Sequence, residues 1–185
     1  TVEVSAISWR GVSAAFPAAG ETSVVIGQGV IGAFATRWLL ELGVNVIVTD
    51  LEESRLERAR KWGVTEAVSG RLPDVRERIL AHCGAGADIV VEASGSMAGA
   101  QLAASVLRRP EAGKTRAAYP LGRLPGNARY WPRLVYQASA YPATELPPRG
   151  LAEGEGVLTL VPADRTLGDR LAVIGKIEQG ALPTS

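Results

Sequence analysis

The chain has 185 residues, 46% of them apolar and 21% charged, with a formal net charge of +1. That length suits one domain with at most an appendage. The composition excludes a disordered charged tail, and near-neutrality leaves no long-range field to attract nucleic acid or a membrane surface.

No apolar run approaches the roughly 20 residues of a bilayer span. The opening Thr1-Val2-Glu3-Val4 has neither an initiator Met nor the three regions of a signal peptide. One cysteine, Cys83, allows no internal disulfide, which points to a reducing, cytoplasmic setting. His82 and Cys83 are the only His and Cys, and they are neighbours. A zinc site with its usual four or so ligands is therefore not expected within this chain.

In chain order, a main domain is expected at 21–185. Short β-branched runs follow at Val24-Val25-Ile26, Val44-Asn45-Val46-Ile47-Val48 and Ile89-Val90-Val91. Between the first two, Ile31, Phe34, Trp38 and Leu42 recur at helical spacing. Residues 51–61 are charge-rich yet helical, with Leu56 and Ala59 inward and most charges read as a solvated face. After the third run, Met97, Ala100, Ala104 and Leu107 repeat the helical period. Runs apolar on both faces, joined by helical crossovers, predict an α/β fold with a doubly wound parallel sheet.

Beyond Arg109, residues 114–118 and 138–141 are candidate strands, within a Pro-rich region expected to be irregular over about 120–165. Residues 157–161 alternate like a short strand. Leu167, Leu171, Ile174 and Ile177 predict a closing amphipathic helix that ends near Gly180.

The most specific motif is Gly27-Gln28-Gly29-Val30-Ile31-Gly32, which follows a strand and opens a helix. Gly27 would allow the tight turn, Gly29 the close approach of a pyrophosphate, and Gly32 tight packing of helix on sheet. The pyrophosphate would meet the free N–H groups of the helix mouth. Asp50 stands 18 residues past the last glycine, at the end of the next strand. A carboxylate there accepts from adenosine ribose hydroxyls and repels a 2′-phosphate, so NAD is expected over NADP. Leu51 and Arg55 are expected to flank the adenosine end. Ala93, Ser94 and Gly95, at the carboxyl end of a strand, are expected to line the nicotinamide half. Glu92 reads equally as structural or as a ribose contact. His82, expected at the amino ends of the strands, and Cys83 are discounted as catalytic groups. Six Lys or Arg residues and several aromatics between 114 and 149 suit a subunit contact or a cofactor lid better than nucleic acid.

These residues resemble the cofactor domain of the medium-chain dehydrogenase/reductase family. The resemblance rests on residues 24–32, Leu42-Gly43, Asp50, Arg55-Leu56-Glu57, Ala59-Arg60-Lys61-Trp62-Gly63 and residues 88–95. It implies NAD-dependent oxidation of a secondary alcohol or polyol. It also implies a separate catalytic domain holding the substrate and, in many members, zinc, and commonly a homodimer paired through the cofactor domain. On that reading the chain is a fragment, residues 1–20 are a linker whose helix at 5–16 leads from the other domain, and no catalytic or metal-binding residue lies here. The alternatives are a zinc-free quinone or alkene reductase of the same family, and a non-catalytic NAD-binding module. Residues 117–120, Ala-Ala-Tyr-Pro, depart from the glycine-rich strand end that commonly meets the nicotinamide.

Overall fold

The computed structural model describes residues 2–108, 132–137, 157–160 and 167–180. Among these residues, six helices and six strands run in the order α1 (Val2–Ala14), β1 (Thr22–Ile26), α2 (Val30–Glu41), β2 (Asn45–Asp50), α3 (Glu53–Lys61), β3 (Glu66–Ser69), α4 (Val75–Cys83), β4 (Ile89–Glu92), α5 (Met97–Val106), β5 (Arg133–Tyr136), β6 (Val157–Leu160) and α6 (Leu167–Glu178). The strands form one sheet in the order β3-β2-β1-β4-β5-β6, every neighbouring pair parallel. This is the doubly wound α/β architecture that the alternation of strands and helices predicts. The order reverses between β1 and β4, so the loops leaving those two strands diverge and open a crevice at their carboxyl ends.

Alternation along each strand feeds two cores. Val25, Val46, Val48, Ile89, Val91 and Val135 face one side, with Ala35, Trp38 and Leu39 of α2 and Leu56 and Ala59 of α3. Val24, Ile26, Ile47, Val90 and Leu134 face the other, with Ile79 of α4 and Ala100, Ala103 and Val106 of α5. Burial on both faces is why the strands read as continuous apolar runs.

The helices pack on smaller residues than their apolar periodicity suggests. In α2 the buried positions are Gly32, Ala35, Thr36, Trp38 and Leu39, while Ile31, Phe34 and Leu42 are half-buried on its flank. Gly32 lets the helix start close to β1, Trp38 and Leu39 fill the core, and Phe34 and Leu42 pack against its edge. Likewise α5 buries Gly99, Ala100, Ala103 and Val106 but exposes Ala104. In α6 the expected inward stripe is corrected further: Leu171 and Ile174 are exposed, and Val173 is buried instead.

Helix α1 packs against α2 and α6. Trp38 Nε1 donates to the carbonyl of Ser5 at 3.3 Å and to its hydroxyl at 3.2 Å, and the Trp9 and Trp38 rings lie 4.5 Å apart. Ser8 Oγ donates to the carbonyl of Ile31 at 2.6 Å, in the first turn of α2. Arg10 and Asp169 lie 3.8 Å apart, and Glu3 and Arg170 2.8 Å apart, so α6 is fastened to the same helix.

Strand β5 lies inside the stretch expected to be irregular. Only Leu134 and Val135 carry an aliphatic signal there, too short a run to distinguish from loop. The strand is secured by a contact distant in sequence: Arg133 is fully buried and its Nη2 donates to Glu21 Oε2 at 2.6 Å. A buried guanidinium needs such a partner. The candidate strands at 114–118 and 138–141, and residues 117–120, lie outside the described residues. Among the described residues no helix is long and apolar enough to cross a membrane.

Candidate cofactor site

The crevice is built where β1 and β4 part. Gly27 leaves β1 with φ +87°, a conformation open chiefly to glycine, and its N–H donates to Thr49 O at 2.8 Å. A Cβ on Gly27 would stand 2.8 Å from the backbone of Ser94, so the two loops touch here. A Cβ on Gly32 would overlap the carbonyl oxygen of Gly27, and the helix can start this close only without one. Gly29 differs from both: it is the N-cap of α2 with extended backbone and no side-chain cap. Nothing lies within 4 Å of where its Cβ would be. The open space is in front of the helix mouth, where unsatisfied N–H groups concentrate.

Asp50 ends β2 and is 7% exposed. Its Oδ2 accepts from the N–H of Gln28 at 2.5 Å, and its Oδ1 from the N–H of Glu52 at 2.8 Å. Arg55 Nη1 stands 3.4 Å from Oδ2. Each carboxylate oxygen offers about two acceptor directions, so a ribose hydroxyl would take the place of the long Arg55 contact, which reaches Oδ1 at 3.5 Å and Oδ2 at 3.4 Å. The cleft alongside encloses about 550 Å³ and is lined by Gly27, Gly29, Asp50, Leu51, Arg55, Ala93 and Ser94 among others. Gln28 and Val30 border a neighbouring groove of about 360 Å³ between α2 and α3. Ile31, Gly32 and Gly95 line neither space. Ile31 instead receives Ser8, Gly32 permits the close helix start, and Gly95 turns the β4 loop with φ +68°.

Glu92, at the end of β4, is fully buried. Its Oε1 accepts from the N–H of Ser94 at 2.9 Å and from the Ser94 hydroxyl, and its Oε2 from the N–H of Gly95 at 3.4 Å. Of the two readings left open for Glu92, this arrangement fits the structural one. It shapes the turn that presents Ala93 and Ser94 to the cleft. Gly99 completes the arrangement, since a Cβ there would collide with Ser94 Oγ and stand 2.6 Å from Glu92 Oε1. The sequence reading missed Gly99, whose signal is a glycine three residues beyond the Ser96 N-cap of α5.

Burial pushes the Glu92 carboxyl above the ordinary 4.5, partly countered by the donors of Ser94 and Gly95. A raised folded-state pKa gives stability that is full below pH 4.5 and is lost as pH rises through the raised value. Glu92→Gln has no proton to lose. Its stability relative to wild type should therefore increase between pH 4.5 and pH 7, as read from urea midpoints at both. An identical difference at the two pH values would show that Glu92 does not titrate in this way.

His82 is at the far end of the sheet, its Nε2 3.5 Å from Glu66 Oε2 at the start of β3. Cys83 Sγ donates to Ile79 O at 3.2 Å, and burial, then Asp88, pushes its thiol pKa up, the opposite of an activated nucleophile. Among the described residues no three His, Cys, Asp or Glu side chains gather as metal ligands. The described residues do not fit zinc, whereas the bare helix mouth and Asp50 fit a dinucleotide.

Residues 30–112 match the family model described as zinc-binding dehydrogenase. Over 84 residues the chain is 39% identical to L-threonine 3-dehydrogenase of Klebsiella pneumoniae, covering 44% of this chain and 24% of that protein. It is 36% identical over 92 residues to sorbitol dehydrogenase of Bacillus subtilis, covering 49% and 26%. The chain thus spans about a quarter of the length of these curated relatives. An Escherichia coli CFT073 alcohol dehydrogenase solved with NADH superposes with a TM-score of 0.72 at 20% identity, covering 98% of this chain and 48% of that one. At that identity the likeness speaks for the fold.

Proposed function

We propose that the chain, whose residues 30–112 match the zinc-binding dehydrogenase family model, holds NAD(H) for hydride exchange with a secondary alcohol or polyol. The observation that carries the proposal is the open approach at Gly29, in front of a helix mouth and beside the Asp50 carboxylate. Bound NAD would supply the hydride acceptor, and the protein's part is to bind and orient it.

Gly29 and Val30 would present backbone N–H groups to the pyrophosphate. Asp50, with Arg55 beside it, would accept from the adenosine ribose, and exposed Leu51 would offer apolar surface to the adenine. Ala93 and Ser94 would border the nicotinamide half. Threonine and sorbitol dehydrogenases among the relatives support an alcohol or polyol as substrate. We assign substrate binding, and the zinc of the family's description, to a second domain, which the greater length of the relatives accommodates.

Titration of the 185-residue chain with NADH and with NADPH, followed by fluorescence, tests the reading. NADH should bind more tightly. Tighter NADPH binding would overturn the assignment of Asp50, and no binding of either would overturn the site.

A further inference from the structure

Gln28, between the first two glycines of the loop, is fully buried, and each of its polar groups is engaged. Its N–H donates to Asp50 Oδ2 at 2.5 Å, and its carbonyl accepts from Arg58 Nη2 at 2.9 Å. Its side-chain Nε2 donates to Gly27 O at 3.3 Å, and its Oε1 accepts from Thr36 Oγ1 at 3.2 Å. A buried glutamine satisfied in this way fixes the conformation of the loop around it.

Arg58 acts on one peptide unit in particular. The bond from Gln28 to Gly29 is trans, as no described residue has a cis peptide. In a planar trans peptide the C=O and the following N–H point in opposite directions. Drawing the Gln28 carbonyl toward α3 therefore aims the Gly29 N–H away from α3. Gln28 borders only the groove that also holds Arg58, whereas Gly29 borders both the groove and the cleft. The guanidinium also covers the negative end of a carbonyl that would otherwise repel an arriving diphosphate.

Arg58 is exposed, and a free arginine would have to be ordered at an entropic cost. Trp62, one turn further on, holds it: the guanidinium carbon lies 5.4 Å from the indole centroid, within cation–π range. Arg37 of α2 approaches the same ring at 5.7 Å, so the indole joins the two helices on either side of β2.

We infer that Arg58, braced by Trp62, is a positioning residue for the pyrophosphate: it aims the Gly29 N–H without itself touching the cofactor. This rests on the dinucleotide reading above and adds to it a residue on the face expected to be merely solvated. Its effect should appear only with ligands that carry phosphate.

The test uses the full chain and three ligands: NADH and ADP by fluorescence or calorimetry, and adenosine by ligand-observed NMR. Arg58→Gln should raise the Kd of NADH and of ADP about tenfold, as expected for loss of one charged hydrogen bond, and leave adenosine unchanged. Trp62→Leu, which keeps the charge but removes the brace, should weaken NADH and ADP in the same order by a smaller factor. Thermal melts confirm that both variants are folded. Unchanged ADP affinity in Arg58→Gln, or equal loss for adenosine, would overturn the inference while leaving the cofactor reading standing. Trp62→Leu binding ADP like wild type would overturn the brace. A wild-type chain that binds no NADH would overturn both inference and reading.

Discussion

Gly29→Val is expected to raise the Kd for NADH by about a hundredfold or more, with a melting temperature close to that of wild type. The two halves of that expectation have separate causes. Stability should hold because the position has φ −61° and ψ −171°, extended backbone that any L-residue adopts, and because nothing stands within 4 Å of the added Cβ. Binding should fail because the isopropyl group would occupy the space in front of the helix mouth, where a diphosphate has to meet backbone N–H groups. Loss of two hydrogen bonds to a charged group at about 1.5–3 kcal/mol each is enough for that factor. Calorimetric titration with NADH beside a thermal melt reads both halves. A folded variant that binds NADH normally would remove the pyrophosphate from this position.

The second large effect is expected at Asp50. Asp50→Ser removes the carboxylate that would accept from the adenosine ribose, and with it the charge that would repel a 2′-phosphate. It also releases Arg55, 3.4 Å away, to meet such a phosphate. The preference for NADH over NADPH should shift toward NADPH by about a hundredfold, the product of a weakened NADH and a strengthened NADPH. The gain for NADPH should be the smaller part. Asp50 also anchors the N–H groups of Gln28 and Glu52, and a serine oxygen cannot span both. A ratio of dissociation constants that stays at its wild-type value would show that the β2 carboxylate does not select the cofactor.

The sheet and most of the site could be read from the sequence because their signals are local. A β-branched run, a glycine turn, a helix and an acid at the next strand end lie within residues 24–50, and the structure places them in contact. What could not be read depends on distant partners or on shape. Strand β5 needs Arg133 to meet Glu21 across the sheet, and no local pattern announces that pairing. Arg58 looks like one charge among many on α3, and only the fold brings its guanidinium to the Gln28 carbonyl. The faces of α2 and α5 are legible only in part: Phe34, Trp38, Leu42, Met97, Ala100 and Leu107 pack on the core, whereas Ile31 and Ala104 do not. Periodicity weights large residues, whereas close packing on the sheet selects Gly32, Ala35 and Gly99.

Helix α1 meets three separate parts of the molecule. It touches α6 through the Glu3–Arg170 and Arg10–Asp169 pairs, holds the first turn of α2 through Ser8, and takes Gln137, just past β5, on the carbonyl of Ser8 at 2.9 Å. One helix thus ties the flank helix α6, the first turn of α2 and the end of β5 together, so loss of α1 should loosen all three at once.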